Sequence, residues 1–183
     1  AKTYQALGVF VNKKYFDDAE NYINRALILS PNMPNLYQEL AGIKNLKGQY
    51  KESLDIQKIA YDLNPSFPES QYLYGRTLIS YGQSINNKSI ESEGIEMIIN
   101  SFTNGHEVEE DLRWLSGFLE KRKDFGKLIE LYSSLSAREQ IFYAQLAYSY
   151  LLNDNKIEAE IFADKAMQIK NLPRSFYGIL ATV

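Results

Sequence analysis

The sequence predicts an all-α protein built from successive antiparallel helix pairs. Three observations support this prediction: a repeat period of 34 residues, apolar residues at helical spacing, and proline or glycine between the helical segments. The residues that recur at this period are Phe16 as Tyr50, Ala26 as Ala60, Pro31 as Pro65, Pro34 as Pro68, and Gly48 as Gly82. A shared period at all these places indicates one structural unit repeated along the chain.

Each unit is predicted to contain two short helices. In the first unit, the apolar and small residues that share a helix face are Tyr4, Leu7, Gly8 and Val11 on one helix, and Ala19, Ile23 and Ala26 on the next. A helix of this length is marginal alone in water, so each must bury its apolar stripe against its neighbours. The 183 residues accommodate about five such units.

The pattern resembles the tetratricopeptide repeat, whose signature is an aromatic residue, Leu-Gly and Tyr on the first helix, then Ala, an aromatic residue, Ala and a closing Pro on the second. The best-matched residues are Tyr4, Leu7, Gly8, Ala19, Ala26 and Pro31 in the first unit, Tyr37, Leu40, Ala41, Gly48, Tyr50, Ala60 and Pro65 in the second, Gly75, Leu78 and Gly82 in the third, and Tyr143, Leu146, Ala147, Tyr150, Ala159, Ala163 and Ala166 in the fifth. The fourth unit is more diverged.

The resemblance implies a right-handed superhelix of antiparallel helix pairs, with about five repeats and a partial sixth. One continuous array over 1–183 is then expected, and we expect it to be a piece of a longer protein. The repeat boundaries that follow are 1–33, 34–67, 68–105, 106–136 and 137–172, with the partial sixth at 173–183.

Two local features refine this division. Ser66 and Ser136 each stand three residues before a glutamate, the spacing of a capping box, and so are predicted to cap first helices. The third unit exceeds the period by about seven residues, the polar segment Gln83–Ser89, which predicts a loop at the tip of a helix hairpin or, alternatively, a contact for a partner.

Composition excludes several classes of protein. The formal net charge is −3, and the largest basic cluster is Lys121–Lys123, so we expect no nucleic-acid interface. The longest nearly apolar stretch, Ile141–Leu152, is shorter than the ~20 residues that cross a bilayer, so no membrane span is predicted in this piece. The absence of cysteine excludes disulfides and thiolate metal sites and does not indicate a compartment.

The residues that usually perform catalysis are scarce. His106 is the one histidine and is predicted to be an exposed linker or capping residue. The acidic cluster at 107–111 lacks the spacing of a calcium-binding loop, and its carboxylates suit the start of a helix. With neither a glycine-rich phosphate loop nor a convergent catalytic set, we expect no enzyme activity, no metal site and no cofactor.

The resemblance implies that first helices line a concave groove that binds a peptide or a partner segment. The candidate binding residues there are Tyr72, Arg76, Arg113, Trp114 and Tyr148, and their cations favour an acidic partner. The alternative is that Tyr72 and Trp114 pack as core. A branch of the family that binds chaperone C-termini uses cations and amides where this chain has Gln5, Val9, Glu39, Glu69 and Leu73, so that function is not expected.

Two hypotheses for function remain. The first is a non-catalytic protein-interaction scaffold. The second is the tail of a bacterial membrane glycan ligase of the O-antigen-ligase type, because the segments 125–132 and 146–150 resemble repeat tails on such proteins. Phe176, Ile179 and Leu180 are expected to lack a covering helix, which predicts weak self-association through the C-terminal end.

Overall fold

The computed structural model describes residues 13–183, and every regular element in that range is helical. Ten α-helices lie in the described range: α1 (Lys13–Leu29), α2 (Pro34–Leu46), α3 (Tyr50–Leu63), α4 (Pro68–Ser84), α5 (Lys88–Thr103), α6 (Glu109–Arg122), α7 (Phe125–Arg138), α8 (Tyr143–Leu152), α9 (Lys156–Met167) and α10 (Arg174–Leu180). A single 3-10 turn, Gln140–Phe142, precedes α8. The predicted all-α class is confirmed.

The chain packs as two compact units, the first ending at His106 and the second beginning at Glu107. The first unit contains α1 to α5, and the second contains α6 to α10. Within each unit, consecutive helices pack in the pairs that the period predicts, for example α2 with α3 and α8 with α9. The predicted first helix, with Tyr4 to Val11, lies outside the described residues. Continuity of one array over 1–183 stays a prediction.

The 34-residue period recurs in individual contacts of the first unit. Tyr37 Oη donates a hydrogen bond to the carbonyl oxygen of Pro31 at 2.9 Å, and Gln71 Nε2 donates to that of Pro65 at 2.9 Å. Each bond ties a first helix to the turn before it. Proline also stands in the first turn of both α2 and α4, where its missing N–H costs no helical hydrogen bond. Equivalent positions therefore make the same contact one period apart, although the donor is tyrosine at 37 and glutamine at 71.

The α4/α5 pair is held at backbone contact by two glycines. A Cβ atom on Gly75 would lie 2.7 Å from the carbonyl oxygen of Gly94, and a Cβ on Gly94 would lie 2.6 Å from that of Gly75. Gly82, two turns further along α4, is equally confined, because its Cβ would lie 2.9 Å from the backbone nitrogen of Glu91. Larger residues at these positions would separate the two helices.

Apolar side chains between the helices form a core in each unit. In the first, the most deeply buried large side chains are Ile95, Ile98 and Phe102 of α5. In the second, they are Leu115, Leu119, Leu128, Leu131 and Leu146. The predicted small residues Ala60, Ala159 and Ala166 are buried at helix contacts. Tyr61 and Tyr74 stack at 5.0 Å between ring centroids and so join α3 to α4.

Both predicted capping boxes are wrong. The N-cap of α4 is Phe67, so Ser66 stands one residue too early. Ser136 is buried inside α7, where its hydroxyl donates to the carbonyl of Ser133 at 3.1 Å. The side chains that do cap helices are asparagines: Asn87 accepts from the backbone nitrogens of Ser89 and Ile90, and Asn155 accepts from that of Glu158. Sequence spacing alone does not decide where a helix begins.

The predicted loop at Gln83–Ser89 is also wrong in extent. Helix α4 continues through Ser84 and α5 begins at Lys88, so only Ile85 to Asn87 connect them. The residues that exceed the period lengthen both helices instead of forming a loop. Gly82 is for this reason a helix-contact residue, whereas Gly48, one period earlier, has φ +74° and ends α2.

An ionic network joins the first three described helices. Glu20 of α1 accepts from Lys44 at 2.5 Å and from Lys47 at 2.9 Å, while Lys47 also binds Asp17 at 2.8 Å. Glu52 of α3 pairs with Lys44 at 3.1 Å. The hydrogen bonds from Lys44 and Lys47 hold the pKa of Glu20 below its ordinary value. Glu20 therefore contributes its part of the network's stability only while its carboxylate is ionised.

We expect Glu20→Gln to lower the free energy of unfolding at pH 7 by roughly 1 kcal/mol. The folded-state pKa of Glu20 is lowered, so its contribution is present above the ordinary carboxyl pKa of 4.5 and is lost as pH falls through the folded value. The variant should consequently show a shallower loss of stability on acidification in urea titrations. Glu52→Gln is the control, because its carboxylate is 54% exposed. Equal costs for the two variants would contradict a special role for Glu20.

The C-terminal helix α10 packs against α8. Phe176, Ile179 and Leu180 are half-buried, so this face is less open than the sequence predicts, while Tyr177 is 54% exposed. Within residues 13–183, the helices are all too short or too polar to span a lipid bilayer.

Candidate functional site

The five predicted binding residues are divided between the two units. Tyr72 and Arg76 lie on α4 in the first unit. Arg113 and Trp114 lie on α6, and Tyr148 lies on α8, in the second. All three helices are first helices of their pairs, as predicted, and each unit presents its own candidate surface.

The Tyr72 ring belongs to the core of the first unit. It is 3% exposed and stacks on His106 at 4.5 Å between ring centroids, with an interplanar angle of 17°. The edge of Phe102 meets it at 6.2 Å and 74°. The alternative interpretation of this residue, packing as core, therefore describes its ring. The ring itself is too buried for a partner to contact, so Tyr72 can influence binding only through the residue that is hydrogen-bonded to its hydroxyl.

That hydroxyl positions Arg76, one turn further along α4. Arg76 Nη1 donates to Tyr72 Oη at 2.7 Å, and the guanidinium carbon lies 5.7 Å from the centre of the same ring. Arg76 is half-buried. A cation held by a core tyrosine loses little conformational freedom when an anion binds to it.

His106 corrects the sequence prediction, which made it an exposed linker. It is 7% exposed, its backbone nitrogen donates to the carbonyl of Ser101 at 2.9 Å, and its ring meets Phe102 at 5.2 Å. Gly105, with φ +105°, turns the chain so that the imidazole folds back over Tyr72. The two residues are one repeat period of 34 positions apart, but only the three-dimensional structure shows that their rings stack.

Arg113 and Trp114 face different surroundings, as adjacent residues on a helix do. The Arg113 side chain is 74% exposed and binds Glu109 at 2.7 Å. Trp114 is half-buried and stacks on Phe118 at 5.3 Å and 16°, and the Arg122 guanidinium lies 5.2 Å from the Phe118 ring. Sequence reasoning missed Phe118 and Arg122, although the successive four-residue spacings from Trp114 to Phe118 and from Phe118 to Arg122 were a usable signal.

One position repeats along the first helices of both units: the residue that follows the apolar-small pair of the repeat signature. Gly42 follows Leu40-Ala41, Arg76 follows Tyr74-Gly75, Gly117 follows Leu115-Ser116, and Tyr148 follows Leu146-Ala147. A Cβ on Gly42 or Gly117 would meet no described atom within 4 Å. Each unit thus presents one open position and one large side chain in the same register. Tyr148 is half-buried.

The acidic cluster lies where the sequence predicts, with Glu109, Glu110 and Asp111 in the first turn of α6. Glu107 precedes the helix and accepts from Arg138 Nη2 at 3.1 Å. In the described part of the chain, no group of three His, Cys, Asp or Glu residues is placed to hold a metal ion.

Known proteins resemble this chain in fold. No family model and no curated protein sequence matches it. The solved structures that resemble it are tetratricopeptide-repeat proteins. The structure of the Naa15/Naa10 complex bound to HypK-THB has a TM-score of 0.61 at 16% identity, over 98% of this chain and 29% of that one. The MamA protein has a TM-score of 0.50 at 17% identity, over 91% and 90%.

A third structure, YrrB, is described as a TPR protein with an unusual peptide-binding site. It has a TM-score of 0.48 at 14% identity, over 93% of this chain and 85% of that one.

Proposed function

We propose that this chain, which has the tetratricopeptide-repeat fold, is a non-catalytic scaffold that binds a protein partner through the exposed surface of its first helices. The helix pairs position side chains on rigid elements, and a similar arrangement of helices occurs in the Naa15/Naa10 complex, whose structure contains HypK-THB.

The observation that carries the proposal is the Arg76 guanidinium of α4, held by the hydroxyl of the buried Tyr72. One repeat period earlier in the sequence, Gly42 leaves the surface of α2 open. An extended segment can approach closest where a glycine leaves the surface open. A guanidinium carries N–H donors in a planar fork that matches a carboxylate.

The second unit offers the same two components. Gly117 leaves α6 open, and Arg113 supplies an exposed guanidinium four residues earlier. Arg113 is paired with Glu109, whose side chain is 84% exposed, and such a pair contributes little in water. An acidic partner segment can therefore replace Glu109 at small cost. The favoured ligand is a protein segment that carries carboxylates, which includes a free C-terminus.

The test is the binding of a partner recovered with the chain as bait. We expect Arg76→Ala with Arg113→Ala to weaken binding more than tenfold, because a lost charge-assisted hydrogen bond costs ~1.5–3 kcal/mol. Isothermal calorimetry measures the affinity and circular dichroism verifies that helix content is unchanged. Lys156→Ala with Lys170→Ala, two exposed cations in the second unit, is the control for net charge.

Unchanged affinity in the double variant would exclude the first-helix surface. Activity in hydrolase or transferase screens, lost on one point substitution, would exclude a purely non-catalytic role. The ligase-tail alternative makes a separate prediction, namely several long apolar segments in the sequence that adjoins this piece.

A further inference from the structure

Helix α1 presents a line of exposed side chains that includes large apolar residues. Tyr15 is 66% exposed, Tyr22 is 69% exposed and Leu29 is 84% exposed. These three residues are seven positions apart, so they lie along one side of the helix at intervals of two turns. Asp18 and Arg25, also exposed, occupy the same line between them. We call these five residues the outer stripe.

The outer stripe is separate from the face that packs α1 into its own unit. Ala19, Ile23 and Ala26, which the sequence predicts on one helix face, are all half-buried, and so is Phe16. A helix of a globular protein usually turns charged and polar side chains to water on the remaining surface. Large apolar residues repeated at this spacing instead indicate a surface for another macromolecule.

The charges of the outer stripe are suited to one particular partner. Asp18 and Arg25 are about 10 Å apart along α1, too far to pair with each other. Among the side chains that the structure describes, none forms an ion pair or a hydrogen bond with the side chain of Asp18 or Arg25. They lie four residues before and three residues after Tyr22, and Tyr15 and Leu29 lie seven residues before and seven residues after it.

We propose that the outer stripe binds the outer stripe of a second copy of this chain, with the two α1 helices antiparallel about a two-fold axis at Tyr22. This axis sets Asp18 of one copy beside Arg25 of the other, within one residue of register, twice per dimer. It also sets Tyr15 against Leu29 of the second copy and Tyr22 against its own equivalent. The interface is isologous, because one surface supplies both halves.

The charge order selects this arrangement. A parallel pairing would set Asp18 against Asp18 and Arg25 against Arg25, and like charges across an interface are strongly disfavoured. An unrelated partner would not require the stripe to be complementary to itself. One pair of 17-residue helices is smaller than a standard protein interface, so we expect a dissociation constant of roughly 10–100 µM.

Charge reversal tests the proposal in the full 183-residue chain. Asp18→Arg gives a stripe with two cations, and Arg25→Asp gives a stripe with two carboxylates, so each variant alone should dimerise at least about tenfold more weakly than the wild type. An equimolar mixture of the two variants restores both ion pairs and should associate about as well as the wild type. The double variant, with Asp18→Arg and Arg25→Asp in one chain, should also associate about as well as the wild type. Sedimentation velocity over a range of concentrations measures all four.

Glu160→Arg and Lys170→Asp are the matched controls, since both residues are exposed in the second unit and produce the same changes in net charge. We expect them to associate as the wild type does. Strictly monomeric wild type at several hundred micromolar would overturn the proposal. Association that persists in both single reversals would also overturn it and would place the contact elsewhere, for example at the C-terminal Tyr177. A mixture of the two reversals that associates no better than its components would overturn it as well.

Discussion

Replacing Gly94 by valine is expected to destabilise the first unit by about 3 kcal/mol or more, a value at the upper end for overpacking a helix contact. A Cβ at this position would lie 2.6 Å from the carbonyl oxygen of Gly75 and 3.0 Å from the backbone nitrogen of Ile79. Backbone atoms cannot move aside as the end of a side chain can. The α4/α5 pair would therefore separate and expose Ile95 and Ile98.

The matched substitutions are Gly42→Ala and Gly117→Ala. Both glycines lie inside helices, and a Cβ on either would meet no described atom within 4 Å. Alanine there should raise the free energy of unfolding by about 0.5–1 kcal/mol, because glycine loses more backbone freedom when a helix forms. Urea titrations followed by circular dichroism compare the three variants. If Gly94→Val unfolds at the urea concentration of the wild type, the close approach of α4 and α5 is refuted.

The second large effect is expected for Tyr72→Ala, which should lower the free energy of unfolding by about 3–5 kcal/mol. The substitution removes a ring that is 3% exposed and leaves a cavity beside His106 and Phe102. Tyr72→Phe keeps the ring and removes only the hydroxyl that accepts from Arg76, so its cost should be about 1 kcal/mol. Thermal and urea unfolding measure both.

The pair of Tyr72 variants also separates two roles of one residue. If Tyr72 positions Arg76 for an acidic partner, Tyr72→Phe should weaken partner binding several-fold while the first unit stays folded, because the guanidinium loses its fixed orientation. The same substitution in a background of Arg76→Ala should then have no further effect on binding. Equal losses in both backgrounds would assign Tyr72 a purely structural role.

The two units reach one type of helix pairing by different packing. In the first unit, α4 and α5 meet at glycines and their backbones come into contact. In the second, α6 and α7 pack through Leu115, Leu119, Leu128 and Leu131, and Ser116 shares a buried hydrogen bond of 2.7 Å with Tyr132. Burial raises the pKa of that tyrosine. The small position of the repeat signature is therefore glycine at 75, alanine at 41 and 147, and serine at 116.

The sequence by itself determined the helical class, the 34-residue period and the pairing of neighbouring helices. These properties depend on local residue chemistry: proline in the first turn of α2 and α4, and alanine at helix contacts such as Ala60 and Ala159. Such preferences act between residues within a few helical turns of each other. Because the same pattern recurs every 34 residues, a unit with a weak pattern can be assigned from its neighbours. The location of Arg76 on a first helix was predictable for the same reason, and its role in binding stays a prediction.

Tertiary structure alone decided how far each helix extends and which side chains are buried. Gln83–Ser89 is polar and turn-prone, yet α4 and α5 run through most of it, because packing at Gly75, Gly82 and Gly94 stabilises longer helices than local propensity predicts. His106 is buried because it meets Tyr72, a residue 34 positions earlier, across α5. Contacts between residues distant in sequence leave no local pattern, and for that reason only the folded chain shows that the Tyr72 ring is buried against His106 while its hydroxyl accepts from Arg76.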